Sequence, residues 1–224
     1  TLPKVLKAAG LGYTTAAIGK WHLTTGPALP PGGGGSIAYL LNDPYEAGFD
    51  YFAGFFAGAV PDYFNWNKLI NNGPTVIGPV PTTTYTTTDQ VNEAKNFIAN
   101  QGHDPWFLWL ALNAPHDPFQ LPPEDLVPQN IVDEVVSLLG SYVPGYLANL
   151  ANPAEVRLVY KAMIAAMDTE LARLLESVDK KKTIIVFIGD NGTPIEVTRP
   201  PFDPTHAKAT LYQGGAHVPL IVTG

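Results

Sequence analysis

The stretch "PWFLWLAL", residues 105–112, is a continuous apolar run that lies between Pro105 and the polar sequence "NAPHDP". A run of this kind predicts a β-strand that is covered on both faces, as strands in parallel sheets are. "YTTAAIGK" (13–20), "TIIVFIGD" (183–190) and the final "HVPLIVTG" predict three further strands. These strands define the sheet around which the rest of the chain is arranged.

Amphipathic segments alternate with the predicted strands. Apolar spacing together with capping residues, such as Pro3 in a first turn and Gly10 at an end, predicts helices. The predicted helices cover residues 1–10, 89–100, 131–139 and 152–178. Strands that alternate with helices are typical of an α/β domain with a mainly parallel sheet.

Residues 24–88 are predicted to be mostly irregular. They contain "PALPPGGGGS", aromatic clusters such as "FDYFAGFF", and the threonine-rich "TTTYTTT". The "GGGGS" at residues 32–36 resembles a flexible linker. We interpret it as a surface loop, because neither side looks like an independent domain; an engineered insertion is the alternative.

The composition excludes several classes of protein. The 224 residues are 46 % hydrophobic and 15 % charged, which indicates one globular domain with a sizeable core. A net charge of −7 argues against a nucleic-acid partner. The chain has no cysteine, so it holds no disulfide and no thiolate metal site. No apolar run approaches the ~18 residues that a membrane span needs.

Polar residues stand at the ends of the predicted strands, where α/β sheets bind their ligands. Each has an ordinary structural explanation when taken singly: a histidine beside an apolar run usually packs, and "DNG" is often a turn. Their coincidence favours a functional site. The candidates are Lys20 and His22 after the first strand, His116 in "NAPHDP", Asp190 and Asn191 in "GDNG", and Lys208 before the last strand.

These side chains form a chemically coherent set. Carboxylate and amide oxygens suit Ca²⁺ or Mg²⁺, lysines supply positive charge for an oxyanion, and histidines exchange protons near neutral pH. The set therefore predicts metal-assisted hydrolysis of an anionic ester. No residue of the chain stands out as the nucleophile, and Trp21, between Lys20 and His22, is expected to pack in the core.

Five motifs, in order along the chain, resemble those of the sulfatase family in the alkaline-phosphatase superfamily. The match covers nearly all 224 residues and implies an α/β/α sandwich with a mainly parallel central sheet, incomplete at both ends. The motifs are "TLPKVLKAAGLGYTTAAIGKWHL", "AGFDYFAGF", "PWFLWLALNAPHDPF", "FIGDNG" and "KATLYQGGAHVPLIV".

The resemblance implies a role for each candidate. Asp190 and Asn191 would hold Ca²⁺, sometimes Mg²⁺, and the metal would also bind the sulfate. Lys20 and Lys208 would contact sulfate oxygens and the nucleophile.

The resemblance implies that the two histidines act at different steps of the reaction. His116 would lie near the leaving group, and His22 would help to break down the covalent sulfated intermediate. The sequence departs from the family at Gln213, where glutamate is common, and at His217, where arginine is common.

The resemblance also implies catalytic residues and a domain that residues 1–224 lack. The family's nucleophile is a formylglycine made from Cys or Ser in a Cys/Ser-x-Pro-x-Arg motif, and two aspartates on the first strand complete the metal site. We expect both upstream of Thr1, and a smaller C-terminal domain beyond Gly224. Residues 1–224 are thus predicted to be part of a sulfatase catalytic domain that is inactive alone.

Three alternatives stay open at this point. A phosphodiesterase or phosphonate-ester hydrolase of the same superfamily is the first, although such relatives more often carry histidine after the metal aspartate. A non-catalytic homologue that binds sulfated glycans is the second, and a purely structural α/β domain is the third. The family resemblance implies a periplasmic, secreted or lysosomal location, and a sulfated polysaccharide, an aryl sulfate or choline sulfate as substrate.

Overall fold

The computed structural model describes residues 1–23, 43–73 and 75–224, so the "GGGGS" segment lies outside the described residues. The chain divides into two compact units. Unit 1 comprises Thr1–Pro118 and Met167–Ser177, and unit 2 comprises Phe119–Ala166 and Val178–Gly224. None of the helices in the described ranges is long and apolar enough to cross a membrane.

Unit 1 is built on a five-stranded sheet. Its strands are β1 (Thr14–Lys20), β2 (Tyr51–Phe55), β3 (Trp66–Asn72), β4 (Thr75–Thr82) and β5 (Trp106–Ala111). Their order in the sheet is β4-β3-β2-β1-β5. The strand β1 pairs in parallel with both β2 and β5, whereas β2–β3 and β3–β4 are antiparallel. Two helices, α1 (Leu2–Ala8) and α2 (Thr86–Gln101), belong to the same unit.

The strands β2, β3 and β4 lie in the region that the sequence predicts to be mostly irregular, so that prediction is wrong in part. The physical reason is their composition. Glycine and proline normally mark turns, and β4 contains Gly78, Pro79 and Pro81. Because β4 stands at an edge of the sheet, it tolerates prolines that a central strand would not.

The core of unit 1 contains an aromatic cluster beside β1 and β2. Trp21, Phe49 and Phe52 are each at most 9 % exposed and pack with Ala17 and Leu69. The ring of Trp21 meets that of Phe49 edge to face, with centroids 5.8 Å apart. The expectation that Trp21 packs in the core is therefore confirmed, and this packing fixes the chain on either side of it.

Unit 2 contains α3 (Gln129–Leu139), the first part of α4 (Pro153–Leu175) and the short α5 (Gln213–Ala216). Its strands β6 (Ile185–Ile188) and β7 (Leu220–Thr223) form a two-stranded antiparallel sheet. The alternation of helices and strands along the chain confirms the predicted α/β class.

The predicted burial of three strands differs from the structure. β5 is only half-buried, with Trp109 49 % exposed, because it occupies the other edge of its sheet. Every residue of β7 is exposed, and so is all of β6 except Ile185. Continuous apolar runs thus identified all three strands correctly but overstated how far they are covered.

Candidate functional site

The parallel strands β2, β1 and β5 bring their carboxyl ends to one edge of the sheet in unit 1. Lys20 ends β1 opposite Phe55 of β2, and Gly19 lies opposite Ala111 of β5. The segments that follow β1 and β5 carry His22 and His116. The structure therefore brings Lys20, His22 and His116 to the same edge, as the sequence predicts.

Two glycines allow the strands to approach closely at this edge. A Cβ atom added to Gly54 of β2 would lie 1.9 Å from the carbonyl oxygen of Gly19. One added to Gly19 would lie 2.1 Å from the carbonyl oxygen of Ala111. Real carbon–oxygen contacts are about 3.3 Å or longer, so no other residue fits at either position without moving the strand that carries Lys20.

The imidazole of His22 lies against a residue without a side chain. A Cβ atom added to Gly58 would lie 2.8 Å from Cε1 and 2.9 Å from Nε2 of His22. His22 itself has a φ of 51°, in the left-handed region that few non-glycine residues adopt. Backbone strain of this kind concentrates at functional positions. His22 is exposed, so its ring is open to a ligand.

His116 is held by the residue that follows it. Its Nδ1 atom lies 2.8 Å from the backbone oxygen of Asp117 and 2.9 Å from Oδ1 of the same residue. Both oxygens are hydrogen-bond acceptors, so Nδ1 carries the proton in the neutral ring. This arrangement leaves Nε2 as the atom that accepts or releases a proton.

The turn that carries His116 is fixed at both ends. The backbone N–H of His116 donates to the carbonyl oxygen of Asn113 (2.9 Å), and the hydroxyl of Tyr63 donates to the carbonyl oxygen of His116 (2.8 Å). Tyr63 is fully buried and stacks on Tyr85 at a centroid distance of 5.6 Å. Sequence reasoning missed Tyr63, because it lies in the region predicted to be irregular and aromatic clusters there carry no residue-specific signal.

Two buried amides lie behind the same turn. Gln90 of α2 and Asn113 are 1 % and 2 % exposed. The Gln90 Oε1 atom accepts from the backbone N–H of Asn113 (3.3 Å). Three further amide atoms, Gln90 Nε2 and both side-chain polar atoms of Asn113, have no hydrogen-bond partner among the described residues. Buried polar atoms are usually satisfied, so these three atoms are exceptions among the described residues.

A partly buried ion cluster joins α2 to β3 of the sheet. Lys68 Nζ of β3 lies 2.9 Å from Asp89 Oδ1 and 2.8 Å from Glu93 Oε1. Burial raises the pKa of Asp89, and Lys68 only partly offsets this rise. Burial lowers the pKa of Lys68, but its hydrogen bonds to the two carboxylates outweigh that effect and raise it overall. The cluster therefore keeps the helix that carries Gln90 in place.

Unit 2 brings the remaining candidates together at the end of β6. The backbone N–H of Gly192 donates to Gly215 (3.0 Å), and that of Lys208 donates to Thr193 (2.8 Å). A Cβ atom on Gly192 would lie 1.9 Å from the carbonyl oxygen of Gly214. The "DNG" loop and the segment around Lys208 are thus joined. Asp190 and Asn191 within this loop are exposed, and Lys208 is half-buried.

The predicted metal ligands have the right chemistry but too few donors. One carboxylate and one amide oxygen suit Ca²⁺, which takes about 6–8 oxygen ligands. Across the part of the chain that the structure describes, no group of three or more His, Asp or Glu side chains is arranged to hold a metal ion. These residues do not complete a metal site, so the ligand roles of Asp190 and Asn191 stay predictions.

Proteins of related sequence are sulfatases. The chain is 29 % identical over 228 residues to "Uncharacterized sulfatase YdeN" of Escherichia coli (strain K12), which covers 94 % of the chain and 36 % of that protein. It is 26 % identical to an arylsulfatase of Klebsiella aerogenes, which covers 81 % of the chain and 45 % of that protein. The chain thus spans less than half the length of these relatives.

Solved structures share the fold. The crystal structure of Ps i-CgsB matches with a TM-score of 0.68 at 24 % identity, and the match covers 99 % of the chain and 46 % of that protein. A second structure of the same protein, in complex with k-i-k-neocarrahexaose, matches with a TM-score of 0.68 at 23 % identity. This agreement confirms the predicted alkaline-phosphatase-like α/β fold.

The family model for sulfatases matches residues 1–224, the whole length of the chain. Ordered motifs, fold and family model agree, and the chain belongs to the sulfatase family.

Proposed function

We propose that the protein hydrolyses sulfate esters and that Lys20, His22 and His116 act directly on the substrate. Family membership supports the reaction, and the shared edge of the sheet supports the assignment of these three residues. The observation that carries the proposal is the orientation of His116, whose Nδ1 is held by Asp117.

His116 is assigned as the proton donor to the leaving group. When a sulfate ester is cleaved, the departing alkoxide needs a proton, and a positioned histidine supplies one effectively near neutral pH. Because Asp117 occupies Nδ1, the proton transfer takes place at Nε2. Asp117 is 69 % exposed in its side chain, so its contribution is to orient the ring rather than to bury a charge.

Lys20 is assigned to the sulfate group. Its ammonium is a compact positive charge at the end of β1, suited to stabilising negative charge that develops on sulfate oxygens. His22, beyond the packed Trp21, supplies a second group that can exchange protons at this edge. In unit 2, Lys208 is assigned as a further sulfate contact, and Asp190 and Asn191 as ligands of Ca²⁺ or Mg²⁺, as the family resemblance implies.

The nucleophile is assigned to a formylglycine outside these 224 residues. The chain contains no cysteine, and none of its serines stands in a Ser-x-Pro-x-Arg motif. By this proposal residues 1–224 alone would release only background sulfate. The neighbouring structure in complex with k-i-k-neocarrahexaose supports a saccharide sulfate ester as the substrate class.

The test is sulfate release by the full-length protein from 4-nitrophenyl sulfate and from sulfated oligosaccharides, measured by ion chromatography. We expect His116→Gln to lower the rate on the oligosaccharides by about 100-fold or more, which is the usual contribution of a general acid. His103→Gln, an exposed histidine after α2, is the matched control and should leave the rate unchanged.

Two results would contradict the proposal. Faster release of phosphate than of sulfate from matched esters would assign the protein to the phosphoesterases of the superfamily. Tight binding of sulfated oligosaccharides without any release of sulfate would identify a binding homologue.

A further inference from the structure

We propose that the loop of residues 56–65, which follows β2, positions both histidines of the candidate site. Gly58 leaves the room that the His22 imidazole occupies, and the Tyr63 hydroxyl holds the carbonyl oxygen of His116. We call residues 56–65 the positioning loop. The link to catalysis rests on the function proposed above, whereas the placement of the two rings does not.

The topology places the positioning loop where it can reach both histidines. It leaves the carboxyl end of β2, which runs parallel to β1, and β1 in turn lies beside β5. The three segments that follow these strands therefore meet at one edge of the sheet. The segment after β1 carries His22, the one after β5 carries His116, and the positioning loop contacts both.

The positioning loop is itself held in place, so it can fix the positions of the two histidines. The carbonyl oxygen of Tyr63 accepts hydrogen bonds from the backbone N–H (2.9 Å) and the hydroxyl (3.0 Å) of Thr86, at the start of α2. Val60 and Tyr63 are at most 3 % exposed. At the base of the loop, Phe55 accepts a hydrogen bond from the backbone N–H of Trp21 (3.0 Å).

The contact between the positioning loop and His22 depends on the absence of a side chain at Gly58. A Cβ atom at Gly58 would come within 3.2 Å of three atoms of the imidazole ring. No left-handed backbone requires a glycine at this position, since its φ lies outside that range. The space needed by the ring is therefore the reason for glycine here, and alanine would push the ring away by a few tenths of an ångström or more.

The contact with His116 depends on one hydroxyl. The Tyr63 O–H···O bond to the His116 backbone is 2.8 Å long and its donor is fully buried. Together with the bond from His116 N–H to Asn113, it fixes the peptide units on both sides of the His116 side chain. Tyr63 and Gly58 are thus positioning residues, which act through the histidines and not on the substrate.

The first test is histidine NMR of the full-length protein labelled with ¹⁵N and ¹³C, without substrate. Tyr63→Phe should shift the imidazole resonances of His116 and leave those of His22 in place. Gly58→Ala should shift the imidazole resonances of His22 and leave those of His116 in place. Tyr85→Phe removes a buried hydroxyl but keeps the ring that stacks on Tyr63. Ala57→Ser changes an exposed residue of the positioning loop. Neither control should shift the resonances of either histidine.

Kinetics on a saccharide sulfate provide the second test. We expect Tyr63→Phe and Gly58→Ala each to lower kcat about 3- to 30-fold with KM within 2-fold, because they misplace groups rather than remove binding contacts. If the predicted NMR shifts are observed but the protein hydrolyses no sulfate ester, the role of the positioning loop stands and only the proposed function is refuted.

A double-mutant cycle covers the case in which Gly58→Ala folds poorly. If Gly58 makes room for the His22 ring, Gly58→Ala should lower the free energy of unfolding in the wild-type background but not in the His22→Ala background. Equal destabilisation in both backgrounds, or variants whose histidine resonances stay at the wild-type positions, would overturn the proposal.

Discussion

Replacing Gly54 by alanine should force β1 and β2 apart just where Lys20 ends its strand. The new Cβ would lie 1.9 Å from the Gly19 oxygen and 2.7 Å from the Gly19 carbonyl carbon. To reach an ordinary contact of about 3.3 Å, the strands must separate by more than 1 Å. Because the obstructing atoms belong to the backbone, no side-chain rotation can relieve the contact.

The magnitude follows from the contacts that this separation breaks. The hydrogen bond from Trp21 to Phe55, now 3.0 Å, would lengthen beyond the usual limit of about 3.2 Å. Overpacking of about 1–3 kcal/mol and the loss of roughly two backbone hydrogen bonds at about 1 kcal/mol each give about 3–5 kcal/mol. That is a large share of a typical domain stability of about 5–15 kcal/mol.

Urea unfolding followed by circular dichroism measures this loss, with Gly73→Ala as the matched control. Nothing lies within 4 Å of a Cβ atom at Gly73, so only its left-handed backbone, at a φ of +61°, opposes alanine. That strain costs about 1–2 kcal/mol. If Gly54→Ala proves no more destabilising than Gly73→Ala, the close approach of β1 and β2 inferred here is incorrect.

Two further predictions concern charged groups. Lys68→Met should destabilise the protein by about 3 kcal/mol, because it leaves the buried carboxylate of Asp89 and the half-buried one of Glu93 without their cation. Lys161→Met, at an exposed ion pair, should cost less than about 1 kcal/mol in the same melts. Burial raises the pKa of Asp50, but hydrogen bonds from Lys7 and Thr15 lower it overall below its ordinary value of 3.8. Its stabilising contribution is therefore present above that pH and lost as the pH falls through the lower folded value. Asp50→Asn should flatten the acid side of a Tm-versus-pH curve, and an unchanged slope below about pH 4 would count against this contribution.

Strands and helices with long, uninterrupted patterns could be predicted from the sequence. The apolar runs gave β1, β5, β6 and β7, and the helix predicted over residues 152–178 is α4, Pro153–Leu175. Strands β2 to β4 could not be recognised, because glycine, proline and asparagine interrupt them. Their pairing energy comes from neighbours distant in sequence, which a local pattern does not record.

Part of the candidate site could likewise be predicted from the sequence, and part of it could not. Lys20, His22 and His116 could be placed at one edge, because the carboxyl ends of parallel strands meet there. The contribution of Tyr63 could not be predicted, since it acts on a residue 53 positions away. The left-handed backbone of His22 was also unpredictable, because sequence propensity disfavours it and tertiary contacts impose it.

The leaving-group dependence of hydrolysis tests the central claim most directly. The measurement is kcat/KM of the full-length protein and of His116→Gln for aryl sulfates whose leaving phenols span several pKa values. If Nε2 of His116 protonates the leaving group, its loss should slow esters of weakly acidic phenols far more than 4-nitrophenyl sulfate, so the variant's plot of log kcat/KM against phenol pKa should fall more steeply. Parallel plots for the two proteins, or a wild-type protein that releases no sulfate from any ester, would contradict the account.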